Sequence, residues 1–416
     1  MKILVVHNRY RPGVPSGENS VVDAESAELV SRGHQVAHFE RHSGDIATWS
    51  LARRATLPLR LLWSTEARRA LETEIDRFAP DVVHLHNTFP LITPSVLSAC
   101  RDRGVPVVAT LHNYKLGCAS GEFFRAGAVC HDCLDGSRTA AVRHGCYRGS
   151  RLTTVPVVAA QTLHARAWRT SVSAYVFISA AQQQVLAPLG LPPDRCFVKH
   201  NFVPERQASA PAQEAAHEVV HLGRLDPAKG ADVLMLAWDA FRAMRPDARL
   251  RLVVVGSGPL EDAVRAWAAG KDHVSHLGHV PREQVPRALA RARAAVLPSR
   301  WEETFGLVAV EAMAVGTAPL ATAHGAFPEI ITDGVDGALV PPSDPRALAR
   351  AFCQIDDHPD RWAAFGRAGR ETYRRRFTPE AVMDRLVNIY RFAVDHPVTA
   401  PASPDRGDPD RSRTFP

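Results

Sequence analysis

An α/β fold of two Rossmann-like, doubly wound domains facing each other across a cleft is predicted by three observations. Short Val- and Ile-rich runs alternate with longer helical patterns, as in parallel sheets covered on both faces. The alternation breaks at a Pro-, Ala-, Gln- and Glu-rich stretch, Pro204 to Glu218, and then restarts. The length, 416 residues, exceeds what one hydrophobic core usually organises. The expected division is 1–203 for the first domain with a Cys-rich insertion at 113–150, 204–218 for a linker, 219–378 for the second domain, 379–395 for a last helix and 396–416 for a tail.

In the first half, strands are expected at Lys2 to Val6, Gln35 to Phe39, Val82 to His84, Val107 to Leu111 and Tyr175 to Ile178. Those of the second half are expected at Val219 to Leu222, Leu250 to Val255, Val274 to Leu277, Ala294 to Leu297, Ala318 to Thr322 and Ala338 to Val340. Helices are expected over Arg346 to Ile355, Pro359 to Phe377 and Pro379 to Val394. Beyond His396 the chain is rich in Pro, Asp, Arg and Ser with almost nothing apolar, so disorder is expected there.

Composition narrows the function classes. Lys and Arg total 50 against 44 for Asp and Glu, a formal charge of +6, too modest at this length for a dedicated nucleic-acid binder. Ile3-Leu4-Val5-Val6 is too short for a signal-peptide core, and no run approaches the roughly 20 apolar residues of a spanning helix. A cytoplasmic protein, resting at most on the inner face of a membrane, is expected. In that reducing compartment the seven cysteines read as thiols or metal ligands.

Chemistry is densest between Ser299 and Gly316. A helix opening at Phe305-Gly306-Leu307 offers unpaired amides and a positive dipole end to a phosphate. Glu303 precedes it, and Glu311 is expected two turns in. Carboxylates beside an anion site are hydroxyl acceptors, which suggests a ligand with both phosphate and sugar rings. Two solvated acids on an amphipathic helix are the plainer alternative. Earlier, Gly223-Arg224-Leu225 and Lys229-Gly230 lie between a strand and a helix starting near Ala231. Two cations on one loop are suited to bridge a diphosphate.

These segments resemble, in order, the diphosphate-binding cations and the paired glutamates of the family-four retaining glycosyltransferases, which have the GT-B fold. The resemblance covers nearly the whole chain apart from the tail. It implies that Glu303 meets the donor sugar, Glu311 holds the ribose, and Phe305, Gly306 and Leu307 form the phosphate-binding helix mouth. Gly256, in the Gly-Ser-Gly turn after Val255, and Val280 would lie near the nucleobase. Ser16-Gly17 stands where relatives have two adjacent glycines, so a phosphate-facing backbone role passes to Gly17, ahead of a helix expected near Val21. His112, at the end of a strand, matches the histidine beside the donor sugar. Many relatives have Asp next, where this chain has Asn113, so any acid tuning of the imidazole is lost. His84 and His86 are further cleft candidates. The last helix would cross back to the first domain.

The implied reaction is retaining transfer of a sugar from a UDP- or GDP-sugar to a glycan or lipid-linked acceptor, in cell-surface polysaccharide or glycoconjugate assembly. His112, Glu303, Arg224 and Lys229 carry the chemistry. Arg224, Lys229 and the helix mouth stabilise the departing diphosphate, and no catalytic metal is expected. A nucleotide-sugar epimerase of the same fold and a non-catalytic nucleotide-sugar-binding scaffold are the competing readings.

Cys118, Cys130, Cys133 and Cys146 have eleven, two and twelve residues between them. Four thiolates that include a Cys-x-x-Cys pair can surround a structural zinc, with His131 and His144 as substitutes; unliganded thiols are the alternative. This insertion resembles a cysteine-bearing branch of bacterial polysaccharide transferases and is expected to shape the acceptor side. Ser50 to Trp63 mixes Leu, Arg and Trp, broken at Pro58, as in a helix pair on an anionic membrane or in an ordinary Arg-rich surface.

Overall fold

The computed structural model describes residues 1–11, 16–205 and 217–398. The first sheet contains β1 (Lys2–Arg9), β2 (Gln35–His42), β3 (Val82–Asn87) and β4 (Val107–Leu111). A small hairpin follows, β5 (Phe124–Arg125) with β6 (Ala128–Val129), and the sheet resumes with β7 (Ala174–Phe177) and β8 (Cys196–Val198). The second sheet holds β9 (Glu218–Leu222), β10 (Arg251–Val255), β11 (Val274–Gly278), β12 (Ala294–Leu297), β13 (Ala318–Thr322) and β14 (Ala338–Val340).

Both sheets are six-stranded and parallel, ordered β2-β1-β3-β4-β7-β8 and β11-β10-β9-β12-β13-β14. Their central strands are buried on both faces, which is why each reads as a continuous apolar run. The order reverses between β1 and β3 in the first sheet and between β9 and β12 in the second. Crevices open at such reversals, beyond the carboxyl ends of the strands. His7 and His86 therefore flank one crevice, and Gly223-Arg224 and the segment from Ser299 to Glu303 flank the other.

Several expectations shift. β3 continues through His84 and His86, which are strand residues and not a strand end. The first helix begins at Gly17, not Val21, because Ser16 caps it by accepting Asn19 N–H at 3.2 Å. Glu311 is the fifth residue of the helix Leu307–Ala314, little more than one turn in. The Ser50 to Trp63 stretch does form two short helices, Leu51–Ala55 and Leu57–Leu62, but they part at Thr56, and Pro58 sits harmlessly in the first turn of the second.

The helix Pro379–Asp395 lays Met383, Leu386, Ile389 and Tyr390 against Ile3, Val5, Val108 and Val176 of the first sheet. The last helix therefore packs on the sheet of the first half of the chain. Most of the linker, residues 206–216, and the tail from 399 lie outside the described residues.

Candidate active site

On the second domain, the loop after β9 and the segment after β12 meet. Lys229 Nζ donates to Glu303 Oε1 at 2.6 Å, and Ser299 Oγ donates to the same oxygen at 2.7 Å. Burial alone would push the Glu303 carboxyl up, but the Lys229 charge and these donors outweigh it and hold the group below its usual range. Next to it, Gly306 caps the helix Leu307–Ala314 at φ 87°, where a Cβ would stand 2.5 Å from the Phe327 ring. Only glycine fits there.

Arg224 is held by Asp226 through its Nε and donates from Nη2 to Glu122 Oε1 at 2.6 Å. Glu122 belongs to the Cys-rich insertion of the other domain. Two more contacts dock that insertion: His131 Nε2 donates to Glu302 at 2.6 Å, and Arg300 Nη2 donates to the Gly127 carbonyl at 2.6 Å. The insertion, expected on the acceptor side, thus also straps the two domains together. His144 lies 3.4 Å from Asp132, so both substitute zinc ligands face carboxylates instead.

Across the cleft, His112 Nε2 and His86 Nδ1 share a hydrogen bond of 2.8 Å. The ring partner of His112 is thus His86, while the Asn113 side chain turns to Glu18 and the Lys115 amide. Burial holds both rings well below the usual histidine range, so each is neutral. Thr304 Oγ1 donates to the His112 carbonyl at 3.1 Å, which fixes His112 beside the Glu303 segment. Gly17 opens one helix and Leu307 another, and a Cβ on Gly17 would lie 3.7 Å from Leu307 Cδ2, so two helix mouths face each other across the cleft.

Sequence reasoning passed over Glu18. Its carboxyl is buried, accepts from Tyr10 Oη at 3.1 Å and Asn113 Nδ2 at 3.3 Å, and lies 3.9 Å from His7 Nδ1. Desolvation raises it to about 7 despite both donors. Its place in the first turn behind the Ser16 cap was the available signal.

Other expected site residues have contacts of their own. Glu311 lies 3.8 Å from Arg282 in a smaller hollow with Val203 and Pro204. Val280 packs beside Val220 and Val255. The Phe305 ring is buried near His200 and Phe377, leaving only its backbone for a ligand. Gly256 was expected to let a ligand approach; a Cβ there would strike the Gly223 carbonyl, so the absent side chain lets two loops of the protein approach each other.

Burial and neighbouring sulfurs raise the Cys133 and Cys146 thiols, the latter to about 11, so Cys118, Cys130, Cys133 and Cys146 share one neighbourhood. Tetrahedral zinc at about 2.3 Å from each sulfur sets sulfurs about 3.8 Å apart. Among the described residues the group with three ligand atoms within 4.8 Å of one another is Glu25, His84 and His86, not a cysteine set. That group does not fit a metal. Lys199 already pairs with Glu25, and His84 is bonded to Thr110 at 2.7 Å and Tyr390 at 2.7 Å.

Comparison with known families places this geometry. The model described as Glycosyltransferase Family 4 matches residues 15–207, and that of Glycosyl transferases group 1 matches residues 203–372. The chain belongs to glycosyltransferase family 4. Among curated relatives, the D-inositol 3-phosphate glycosyltransferase of Segniliparus rotundus is 33% identical over 50% of this chain and 47% of its own length. A GDP-mannose-dependent monoacylated alpha-(1-6)-phosphatidylinositol monomannoside mannosyltransferase of Corynebacterium glutamicum is 35% identical over 40% and 45%. The chain thus spans about half the length of the curated relatives it matches. Anabaena HepE, solved with UDP and glucose, superposes at TM-score 0.63 with 19% identity, over 93% of this chain and 98% of that one. A sucrose-phosphate synthase from Thermosynechococcus elongatus gives TM-score 0.68 with 20% identity, over 94% and 98%. The shared fold of this family-4 chain is GT-B.

Proposed function

We propose that this family-4 chain is a retaining glycosyltransferase that moves a sugar from a nucleotide-diphosphate-sugar to a glycan or lipid-linked acceptor in cell-surface polysaccharide or glycoconjugate assembly. The observation that carries the reading is the Lys229–Glu303 pair beside a helix mouth, held against His112 of the other domain by Thr304. UDP in HepE and the GDP-mannose dependence of the Corynebacterium relative support a nucleotide-sugar donor.

Bond cleavage places negative charge on the leaving diphosphate. Arg224, Lys229 and the amides at Gly306 meet it with fixed positive charge, so this step needs no divalent cation. Glu303, freed from Lys229 as the phosphate takes that cation, accepts from sugar hydroxyls. The neutral His112, oriented by His86, donates or accepts at the sugar without adding charge that would oppose an oxocarbenium-like transition state. Gly17, Gly256, Val280, Phe305, Leu307 and Glu311 complete the donor pocket through backbone and rim contacts, on the strength of the family pattern.

The cysteine cluster suits a structural zinc, since a bound dication would draw the thiols into the thiolate form with release of their protons. Metal analysis of protein purified without chelator should find about one zinc per chain. None, with four titratable thiols in the folded protein, rejects the site. Peripheral attachment at an anionic membrane fits the exposed Leu51, Leu59 and Trp63 among arginines. No helix among the described residues is long and apolar enough to cross a membrane.

The deciding experiment screens nucleotide-sugars for thermal stabilisation of the full chain, which rises with ligand saturation. One UDP- or GDP-sugar should raise Tm and be hydrolysed slowly without acceptor. No stabilisation by any member of the panel rejects the reading, and conversion of the donor into its epimer replaces it with the epimerase.

A further inference from the structure

A cavity runs from the His86–His112 pair into the first domain, away from Arg224 and Lys229. Much of its wall is apolar, built from Leu61, Phe89, Leu116, Val157, Trp168 and Leu191. Three cations, Lys115, Arg138 and Arg169, also line it, with no Asp or Glu among the lining residues.

Lys115 Nζ donates to the Ala119 carbonyl at 2.9 Å and lies 4.6 Å from the Phe89 ring centre. Among the described residues it forms no salt bridge, and burial pulls its ammonium down to about 8. Arg138 gives Nη2 to the Leu116 carbonyl at 3.2 Å, while its Nη1 is buried with no hydrogen-bond partner. Lys115 feels Glu122 and Glu18 only at a distance and pairs with neither, and the half-buried Arg138 leaves Nη1 without a partner, so an anion in the cavity would satisfy both.

We propose that this cavity binds an anionic amphiphile, a lipid phosphate whose charged head meets Lys115 and Arg138 and whose hydrocarbon chain lies along Val157, Trp168 and Leu191. A neutral glycan would leave the cations uncompensated and find no carboxylate to take its hydroxyls. A small soluble phosphate would leave the apolar wall uncovered. The two helices that supply Leu61 and Val157, Leu57–Leu62 and Arg151–Leu163, also expose Leu59, Leu152 and Leu163, which gives the chain an apolar surface on which to enter. That this lipid is the sugar acceptor rests on the glycosyl-transfer reading, because the cavity begins at His112; the binding itself does not.

The test is equilibrium binding of farnesyl phosphate to the full chain, followed by tryptophan fluorescence and compared with farnesol and glycerol 3-phosphate. Farnesyl phosphate should bind saturably and at least ten-fold more tightly than either control. Lys115→Met and Arg138→Gln should each weaken it about ten-fold or more and leave UDP or GDP binding unchanged. Arg169→Gln, an exposed rim change that spares the interior, should weaken it two- to five-fold, so a folding defect in the buried variants does not hide the answer. Equal binding of farnesol or of glycerol 3-phosphate, no binding of farnesyl phosphate, or indifference to all three variants overturns the proposal. Nucleotide binding on the same preparation separates the two readings: UDP or GDP bound without farnesyl phosphate sinks this one alone, and the reverse sinks the transferase assignment alone.

Discussion

On the C-terminal wall of the cleft, Lys229 meets Glu303 at 2.6 Å and Arg224 is paired with Asp226 and Glu122, so charge is plentiful and mutually compensated. On the N-terminal wall, burial holds His7, His86 and His112 uncharged and Glu18 near neutrality. One wall stores fixed charges ready for a diphosphate. The other sets neutral histidines there, which suits a site where a sugar ring becomes cationic and a hydroxyl gives up its proton, and keeps Lys115 and Arg138 in the cavity behind them. Swapping the two environments would leave the phosphates without cations and place fixed cations where positive charge develops.

The largest effect should come from breaking the charged wall. Glu303→Gln keeps the shape but leaves Lys229 without its counter-charge and the donor sugar without an anionic acceptor. Turnover of the donor should fall on the order of 100- to 1,000-fold, the usual cost of losing one preorganised electrostatic group. Glu303 is buried, so Tm should fall by several degrees, while circular dichroism at the assay temperature should stay unchanged. A variant that retains near-full turnover removes Glu303 from the chemistry. The same substitution should not alter the amphiphile cavity on the other wall, which sharpens the division between them.

The neutral wall is tested by pH. The Glu18 carboxyl sits at about 7 when folded against an ordinary value of 4.5, so the folded state binds the extra proton between those values. Its contribution to stability is fully present below pH 4.5 and is lost as pH rises through 7, a loss on the order of 3 kcal/mol at most. The buried histidines act in the opposite sense, stabilising above their ordinary value of 6.5 and losing that stability as pH falls. They cancel in a difference between proteins. Glu18→Gln should therefore leave Tm nearly unchanged at pH 5 and raise it by several degrees at pH 8. Parallel Tm curves for the two proteins would show that Glu18 is ionised in the fold.

What could be read in the sequence divides along physical lines. β4, β12 and β13 have the bounds their apolar runs suggest, because a strand buried on both faces declares itself by composition alone. β8 escaped notice because its three residues, Cys196 to Val198, are half-buried at a sheet edge, and β5 and β6 are two residues each. Lys229 and Glu303 were legible as candidates because each follows a strand of one sheet. Their direct contact was not, since 74 positions separate them and only the strand order joins β9 to β12. Glu18 and Glu122 were harder still. Glu18 offered only its place in the first turn behind the Ser16 cap, and a carboxyl reaching across a cleft to Arg224 carries no local pattern.

That cross-cleft contact gives the smallest of the expected effects and joins the two walls. Glu122 occupies Arg224 Nη2, the same cation assigned to the diphosphate, so an arriving nucleotide has to displace a carboxylate carried by the Cys-rich insertion. Arg224 remains 54% exposed, which limits the pair to less than about 1 kcal/mol. Glu122→Gln should therefore tighten binding of UDP or GDP by only about two- to five-fold in calorimetry, with a stronger dependence on salt, since the phosphate then forms a new ion pair and no longer exchanges one for another. Weaker nucleotide binding in this variant would mean that Glu122 orients Arg224 for the phosphates instead of competing with them. The insertion would then be part of the donor site, and the two walls would no longer be separable by charge.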